Sequence, residues 1–277
     1  MTLDPGRLGE SKADLAERLR TLRNQADRTQ VWLARRCNMS QTKLSNIETG
    51  RITPGIVDVL LILRALGVSS QVETDVASLA RLANTEWQDK RSSWRRGLET
   101  RQAELAGLEG EATTLRYFLP AMVTGLLATP EYIRASLAHS PVKTSKTVAK
   151  KLERQSVLHD NTKQFIFLLT EQAVRWAVVP SAAMSVQIDH LISMSRLPHV
   201  RIGVIPPGAV VGRGPMNTFT VYDQRLATVE TFTGRIVFQD ARDIAEHLEV
   251  FAMYERHARF DDAARALFTE WADACRS

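Results

Sequence analysis

The sequence predicts an α+β protein with two domains. An all-α domain is expected at residues 1–70, a helical connector at 71–118, and an α/β or α+β domain with a mixed sheet at 119–277. Three observations support this fold class. A chain of 277 residues has the length at which one hydrophobic core usually gives way to two. Apolar residues recur at helical spacing in the first part of the chain, whereas β-branched runs alternate with helical stretches beyond Pro120.

Basic residues are concentrated at the start of the chain. Residues 1–67 contain eleven Lys and Arg against seven Asp and Glu, so +4 of the total net charge of +5 lies there. A field that attracts phosphate groups would therefore belong to the N-terminal domain. No run approaches the roughly 18 apolar residues of a membrane span, and the first ten residues do not resemble a signal peptide. We therefore expect a cytoplasmic protein.

Four short helices are predicted between residues 13 and 67, because apolar positions recur every three or four residues. Residues with capping or turn preferences punctuate them: Thr29, Ser40, Gly50, Thr53, Pro54 and Gly67. The positions expected to face inward are Leu15, Leu19, Leu22, Leu33, Ala34, Cys37, Leu44, Ile47, Ile56, Val59, Leu60, Leu63 and Leu66. The four helices would enclose one small core.

The second and third of these helices are separated only by a tight turn at Asn38 and Met39. Such a turn lets the first helix of a pair contact the DNA backbone while the second enters the major groove. The outer face of the third helix carries short amides and hydroxyls with one lysine: Gln41, Thr42, Lys43, Ser45 and Asn46. Amide side chains can pair with adenine edges, and Ser, Thr and Lys reach bases or phosphates.

The stretch TQVWLARRCNMSQTKLSNIETGRITP resembles the Xre family of lambda repressor-like helix-turn-helix proteins. The resemblance implies that Gln30 braces on a phosphate and orients Gln41. It also implies base contacts by Gln41, Thr42 and Asn46. Phosphate or sugar contacts would come from Lys43, Ser45 and Arg51. The alternative is a structural four-helix domain whose polar face binds nothing, and Lys43 and Ser45 in particular would then be solvated residues.

By the same resemblance, Arg23 and Glu48 form an internal ion pair that joins the first and third helices. Their role would be structural. One helix-turn-helix unit covers only half of a typical site, so a second copy is needed about 34 Å away along the DNA. The expectation is therefore a homodimer on a palindromic operator in double-stranded DNA.

The connector at 71–118 is rich in Ala, Leu, Glu and Arg and is predicted to form two or three helices, which are candidate dimerisation elements. One helical face would contain Leu79, Leu82 and Ala83, and another Leu105, Leu108, Ala112, Leu115 and Phe118. The stretch from Trp87 to Trp94 mixes aromatic and basic residues. Two interpretations remain open for it: a helix-packing patch with solvated basic ends, or a contact with the DNA backbone.

Strands and helices alternate after residue 119. The predicted strands are 164–171, 199–206, 217–223, 227–233 and 235–239, and the predicted helices are 147–160, 181–196 and 241–258. The first strand is apolar on both faces, which favours a place inside the sheet.

The order of segments in this half resembles a C-terminal domain of many actinobacterial Xre regulators, one described as antitoxin-like. The best-matched pieces are Gly125-Leu126-Leu127, Thr129-Pro130-Glu131-Tyr132, Arg154-Gln155, Glu171 and Glu230-Thr231. The chain departs from the usual Pro-Gly-Leu-Leu-Gln-Thr pattern at Val123, Thr124 and Ala128. Glu171 and Glu230 are open to two interpretations, as structural acids or as ligand contacts.

Together the two resemblances imply a transcription regulator, in the first instance a repressor, that a small partner protein encoded nearby modulates through the C-terminal domain. Two alternatives stay open. The C-terminal pocket could sense a small-molecule effector, or the chain could be an antitoxin-like protein that mainly binds a small partner and represses its own gene.

Catalytic and cofactor sites are not predicted. The six histidines show no spacing typical of metal ligands, and the glycines near residue 210 match neither a phosphate loop nor a dinucleotide fingerprint. The two cysteines, Cys37 and Cys275, are far apart, and neither has an evident base nearby. The expectation is a protein that is not an enzyme and has no metal or cofactor.

Overall fold

The computed structural model describes residues 11–89, 98–140 and 143–277. The chain divides into two compact units. The N-terminal unit comprises the described residues up to Trp87 together with Val237–Asp240, and the C-terminal unit comprises Gln88–Ile236 and Ala241–Ser277.

The N-terminal unit is entirely helical up to residue 83. Its helices are α1 Ser11–Gln25, α2 Gln30–Arg36, α3 Gln41–Glu48, α4 Ile56–Leu66 and α5 Ser70–Ala83. Leu33, Leu44, Ile47 and Val59 are fully buried at its centre, as expected from their spacing. The predicted start of α4 is wrong, because the N-cap is Gly55 and not Thr53.

Helix α5 belongs to this core, although it was predicted as part of the connector. Val76, Ala77, Ala80 and Ala83 are all buried among the residues of α1–α4. A core of four short helices buries little apolar surface, so a fifth apolar face adds stability that such a small unit needs. The C-terminal end of α5 is fixed by Asn84, whose side chain donates to the carbonyl oxygens of Ala80 (2.8 Å) and Pro54 (3.0 Å).

The connector is only partly helical. Strand β1 Thr85–Asp89 precedes helix α6 Leu98–Glu111, and strand β2 Thr114–Leu119 follows it. The predicted helix through Leu115 and Phe118 is therefore wrong: a short apolar run fits either element, and pairing with two neighbouring strands decides in favour of the strand. Trp94 and its basic neighbours, in residues 90–97, lie outside the described residues.

The C-terminal unit contains a mixed sheet, as predicted. Its further strands are β3 Gln164–Thr170, β4 Val200–Ile205, β5 Thr218–Tyr222, β6 Leu226–Glu230 and β7 Gly234–Phe238. From β7 to β4 the order is β7-β6-β5-β2-β3-β4. Strands β2, β3 and β4 are parallel, whereas β5 is antiparallel to β2 and β6. Strand β3 thus lies inside the sheet.

Helices cover both faces of this sheet. They are α7 Pro130–Ser136, α8 Ser145–Arg154, α9 Glu171–Arg175, α10 Ser181–Met194, α11 Ala241–Glu255 and α12 Asp261–Arg276, and a 3₁₀ turn at Gln155–His159 extends α8. On one face Tyr117 stacks on Phe167 with ring centroids 4.8 Å apart. On the other, Phe118 stacks on Tyr254 of α11 at 4.2 Å. Successive residues of β2 therefore fill two different layers.

Strand β4 forms the end of the sheet order. The residues that lead into α12 lie along it: Arg259 exchanges two backbone hydrogen bonds of 2.9 Å with Val204. The next residue, Phe260, covers Gly203 so closely that a Cβ atom there would lie 2.5 Å from the ring. Gly203 therefore permits the close approach.

Candidate nucleic-acid interface

The local sequence fixes the helix-turn-helix geometry. The hydroxyl of Thr29 accepts a hydrogen bond from Trp32 N (3.2 Å) at the start of α2, and that of Ser40 accepts one from Lys43 N (3.1 Å) at the start of α3. Between the helices Asn38 adopts φ 53°, a left-handed conformation that asparagine tolerates. The short turn follows from this residue and from the bond of Met39 N to the carbonyl of Ala34 (2.9 Å).

The outer face of α3 is available for contact. Gln41 and Thr42 are exposed, and Ser45 and Asn46 are partly exposed. Arg51, just beyond the helix, is also exposed, and its backbone N–H donates to the carbonyl of Asn46 (2.9 Å). The face therefore presents amide and hydroxyl groups that can both donate and accept hydrogen bonds.

Glu48 anchors the inner side of the same helix. It is 2% exposed, and its carboxylate accepts bonds from Arg23 Nε (2.7 Å) and Nη2 (3.0 Å). Arg23 Nη1 in turn donates to the carbonyl of Arg28 (2.8 Å). The ion pair expected between Arg23 and Glu48 is thus present with two-point geometry. It ties α1 and the α1–α2 turn to α3.

Gln30 takes part in this cluster. Its Nε2 atom donates to Glu48 Oε2 at 2.7 Å, whereas the resemblance implies an interaction with Gln41. That bond uses one of the two hydrogens of the amide nitrogen, so a second N–H and the amide oxygen are left for other partners. A phosphate contact by this side chain would therefore come from the second N–H while the bond to Glu48 is kept.

Lys43 has a protein partner as well. Its Nζ atom lies 2.9 Å from Asp58 on α4. This pair was not predicted, because the two residues are fifteen positions apart and on different helices. Only the tertiary packing of α3 against α4 brings them together.

Cys37 lies in the core, as predicted, and its thiol is free. Burial, and secondarily the negative charge of Asp58, raises the pKa of this thiol. The thiolate that a nucleophile or metal ligand requires is therefore disfavoured.

In the C-terminal unit the loop Gly125–Thr129, part of the antitoxin-like resemblance, is held by two glutamines. Gln155 Nε2 donates to the carbonyls of Gly125 (2.9 Å) and Ala128 (2.7 Å). Gln187, fully buried, accepts from Thr129 N and donates to the carbonyl of Leu127, both at 2.7 Å. These side chains satisfy backbone groups that a buried loop would otherwise leave unpaired. The role of Gln187 was not predicted, since it lies on a distant helix.

The neighbouring Arg154 contributes to a buried polar cluster. Its Nε atom lies 3.0 Å from Glu109 Oε2, and Glu109 Oε1 accepts a bond from the hydroxyl of Tyr117 (3.0 Å). Burial raises the pKa of Glu109, although the charge of Arg154 and the bond from Tyr117 act in the opposite direction. The cluster joins α6, α8 and β2, so Arg154 has a structural function.

The remaining matched residues also have partners within the unit. Glu171 pairs with Arg175 one helical turn later at 2.6 Å. Thr231 Oγ1 accepts from Gly234 N (3.0 Å) in the turn between β6 and β7. The ion pair favours the structural interpretation of Glu171, and the bond of Thr231 shapes the β6–β7 turn.

Within residues 11–89, 98–140 and 143–277, no group of three or more His, Cys, Asp or Glu side chains is arranged to hold a metal ion. In the same described ranges no helix is long and apolar enough to cross a membrane.

Comparisons with known proteins identify both halves. A family described as "Helix-turn-helix domain" matches residues 14–86, and one described as "Domain of unknown function (DUF5753)" matches residues 102–270. No curated protein matches the chain.

Among solved structures, TrmBL2, an archaeal chromatin protein whose structure is reported to show a novel mode of DNA binding, matches with 11% identity and a TM-score of 0.32. The alignment covers 63% of this chain and 54% of TrmBL2, so the chain spans about half the length of that protein.

The region that matches the DUF5753 family, residues 102–270, is more than half of the 277 residues. The chain therefore belongs to the DUF5753 family and carries an N-terminal helix-turn-helix domain.

Proposed function

We propose that this protein is a transcription regulator, acting as a repressor, that binds a palindromic operator as a homodimer. In the proposed complex α3 lies in the major groove, with Gln41, Thr42 and Asn46 at the base edges and Ser45 and Arg51 on phosphate or sugar. The observation that carries the proposal is the exposed polar face of α3, which a buried ion pair and two capping hydroxyls hold in place. The proposed role is not enzymatic.

The dimer follows from the size of the domain, since one α3 helix reads only a half-site. Either the connector or the C-terminal unit would hold the two copies together. The expected operator is an inverted repeat whose half-sites are about 34 Å, or one helical turn, apart.

The test is to recover and sequence the DNA fragments that the protein occupies in its own cells, and then to measure binding of the purified chain to the enriched fragment. An inverted repeat bound by two copies of the chain supports the proposal. Fragments without a shared motif, or a purified chain that binds no duplex, would refute it.

For the C-terminal unit we propose modulation by a small partner protein. Large apolar side chains at one end of the sheet favour this over a sensor of small molecules: Met216 precedes β5 and is 84% exposed, and Phe232 follows β6 and is 97% exposed. Because Thr218 pairs with Glu230, these two residues lie at the same end of adjacent strands. Exposed apolar patches commonly mark protein interfaces.

The protein encoded by a neighbouring gene can be used to distinguish a partner-modulated regulator from a sensor of small molecules. The product of an adjacent short reading frame should change operator binding when it is added to the purified chain. Release of the operator by a small metabolite in the absence of that product would favour the sensor instead.

A further inference from the structure

Lys43 is the only basic residue in the sequence of α3, and its charge is already matched within the protein. The Nζ atom lies 2.9 Å from the carboxylate of Asp58. The side chains are 42% and 24% exposed, so the pair is at the surface and can open. The ammonium therefore has two classes of partner within reach, the carboxylate of Asp58 and a DNA phosphate.

The backbone positions of the two residues are fixed relative to each other. Lys43 N donates to the Ser40 cap, and Asp58 is the third residue of α4, where the unpaired N–H groups of a helix start stabilise a carboxylate. Leu44 and Ile47 of α3 share the core with Val59 of α4. The carboxylate of Asp58 is thus held beside α3, while the flexible four-carbon stem of Lys43 is the part that moves.

We propose that Asp58 is a specificity-determining residue that withholds the Lys43 ammonium from the phosphates of unrelated DNA. This inference rests on the proposed DNA-binding function. Phosphate contacts supply most of the affinity for DNA of any sequence and little of the sequence preference. Because the single cation of α3 is paired with Asp58, α3 gains little affinity for unrelated DNA. Its preference for one DNA sequence then depends on its amides and hydroxyls.

An ordinary surface ion pair provides the competing explanation, in which Asp58 only stabilises the start of α4. The two explanations differ in their linkage to Lys43. If Asp58 withholds the ammonium, replacing Asp58 creates a phosphate contact that requires Lys43. If Asp58 only stabilises α4, replacing Asp58 changes DNA binding equally with and without Lys43.

The experiment uses the full chain and a mixed-sequence duplex of about three helical turns. The variants are Asp58→Asn, Lys43→Gln and the double variant. Binding is measured as a function of salt concentration, with thermal unfolding of each variant as a folding control. We expect Asp58→Asn to bind more tightly and to steepen the slope of log K against log salt by about 0.9 for each bound copy of the chain, the value for one added phosphate contact. Over a fourfold range of salt, a change in slope of about 0.9 corresponds to about a 3.5-fold change in affinity.

Two comparisons among these variants and one control variant complete the design. Lys43→Gln alone should leave the slope of the wild-type chain unchanged, because its ammonium is withheld, and Asp58→Asn should add no slope in the Lys43→Gln background. Asp75→Asn is the matched control: it also removes one carboxylate from the N-terminal unit, but Asp75 is bonded to the amide of Gln71 (3.0 Å) and, among the described residues, is paired with no cation. It should not steepen the slope.

The inference is overturned if Lys43→Gln flattens the wild-type slope by about 0.9 for each bound copy, because the ammonium would then already contact a phosphate. It is also overturned if Asp58→Asn weakens binding, or if it steepens the slope equally in both backgrounds. A wild-type chain and an Asp58→Asn variant that are folded and both fail to bind any duplex would refute the proposed function itself, which is a different result.

Discussion

Arg23 and Glu48 form a two-point ion pair between α1 and α3, with Nε–Oε1 and Nη2–Oε2 distances of 2.7 and 3.0 Å. The carboxylate side chain is 1% exposed and the guanidinium side chain 13%. With Gln30 as a third donor, the carboxylate has the hydrogen bonds that an interior charge requires. The pair connects the stability of the N-terminal unit with the orientation of α3.

Glu48→Ala should destabilise the N-terminal unit, because it leaves the Arg23 charge half-buried and without its partner. Removal of one member of a buried pair typically costs about 3–5 kcal/mol, and the partial exposure of Arg23 places this change at about 3 kcal/mol or below. Thermal unfolding of the full chain measures the effect, and DNA binding should fall in parallel. The double variant Arg23→Met, Glu48→Leu is the control and should lose less stability than Glu48→Ala. An unchanged melting temperature for Glu48→Ala would remove the structural role assigned to the pair.

Gln41→Ala and Asn46→Ala should each weaken binding to the cognate operator by about 1–3 kcal/mol, because each removes hydrogen bonds to base edges. Binding to unrelated duplexes should change little. Binding titrations of each variant with the cognate operator and with an unrelated duplex measure the two changes in affinity. Equal losses on all sequences would show that these two residues do not read bases.

Arg51→Ala should weaken binding to every sequence alike. A phosphate contact releases a condensed counterion, so its loss should flatten the slope of log K against log salt by about 0.9 for each bound copy of the chain. The measurement is a salt titration on cognate and unrelated duplexes. If the slope does not change, Arg51 does not contact a phosphate.

Asp223 connects the β5–β6 turn to the start of β2 and should make stability depend on pH. Its carboxylate accepts bonds from Thr114 N (2.7 Å), Thr113 Oγ1 (2.8 Å) and Thr113 N (3.1 Å). Burial alone would raise its pKa, but these bonds outweigh burial and the pKa is lowered. A lowered folded pKa stabilises the protein above the unfolded pKa of about 3.9, and that stability is lost as pH falls through the folded value.

Asp223→Asn should therefore be less stable than the wild type at pH 7 by about 1–2 kcal/mol, because the charge on the acceptor is lost. The difference should shrink as the pH falls from about 4 through the lowered folded pKa, where the folded wild-type carboxylate becomes neutral too. Denaturant unfolding at several pH values checks this. A difference that is constant with pH would contradict the assignment.

Gly203→Ala should destabilise the C-terminal unit, because the new Cβ would lie 2.5 Å from Phe260 Cε1 and 2.6 Å from Cζ. Overpacking of this kind costs about 1–3 kcal/mol. In a Phe260→Leu background the same change should cost less, which a double-mutant cycle of unfolding free energies can measure. Equal costs in both backgrounds would show that the ring is not the obstacle.

Local signals were sufficient for much of the fold. The caps Thr29 and Ser40 and the left-handed Gly50 depend on residues within one turn of the chain, so the sequence located α2 and α3 correctly. All five predicted strands are present. Strand β2 was missed because its place between β3 and β5 depends on residues about 50 and 100 positions away.

The same distinction applies to the candidate site. The exposed face of α3 follows from helical spacing around Leu44 and Ile47 and needs no knowledge of the rest of the chain. The partners of Gln30 and Lys43 do not follow from helical spacing. Each bonds to an acid on another part of the fold, and such choices depend on the packing of whole helices against one another.

The backbone bridge between Arg259 and Val204 has a consequence for how molecules of this protein meet. An edge strand presents unpaired N–H and C=O groups that can template a strand from another molecule, the first step of sheet-to-sheet aggregation. At Val204 both groups are already engaged, and Phe260 covers the adjacent glycine. A strand from a second molecule would have to displace this segment before it could lengthen the sheet from β4.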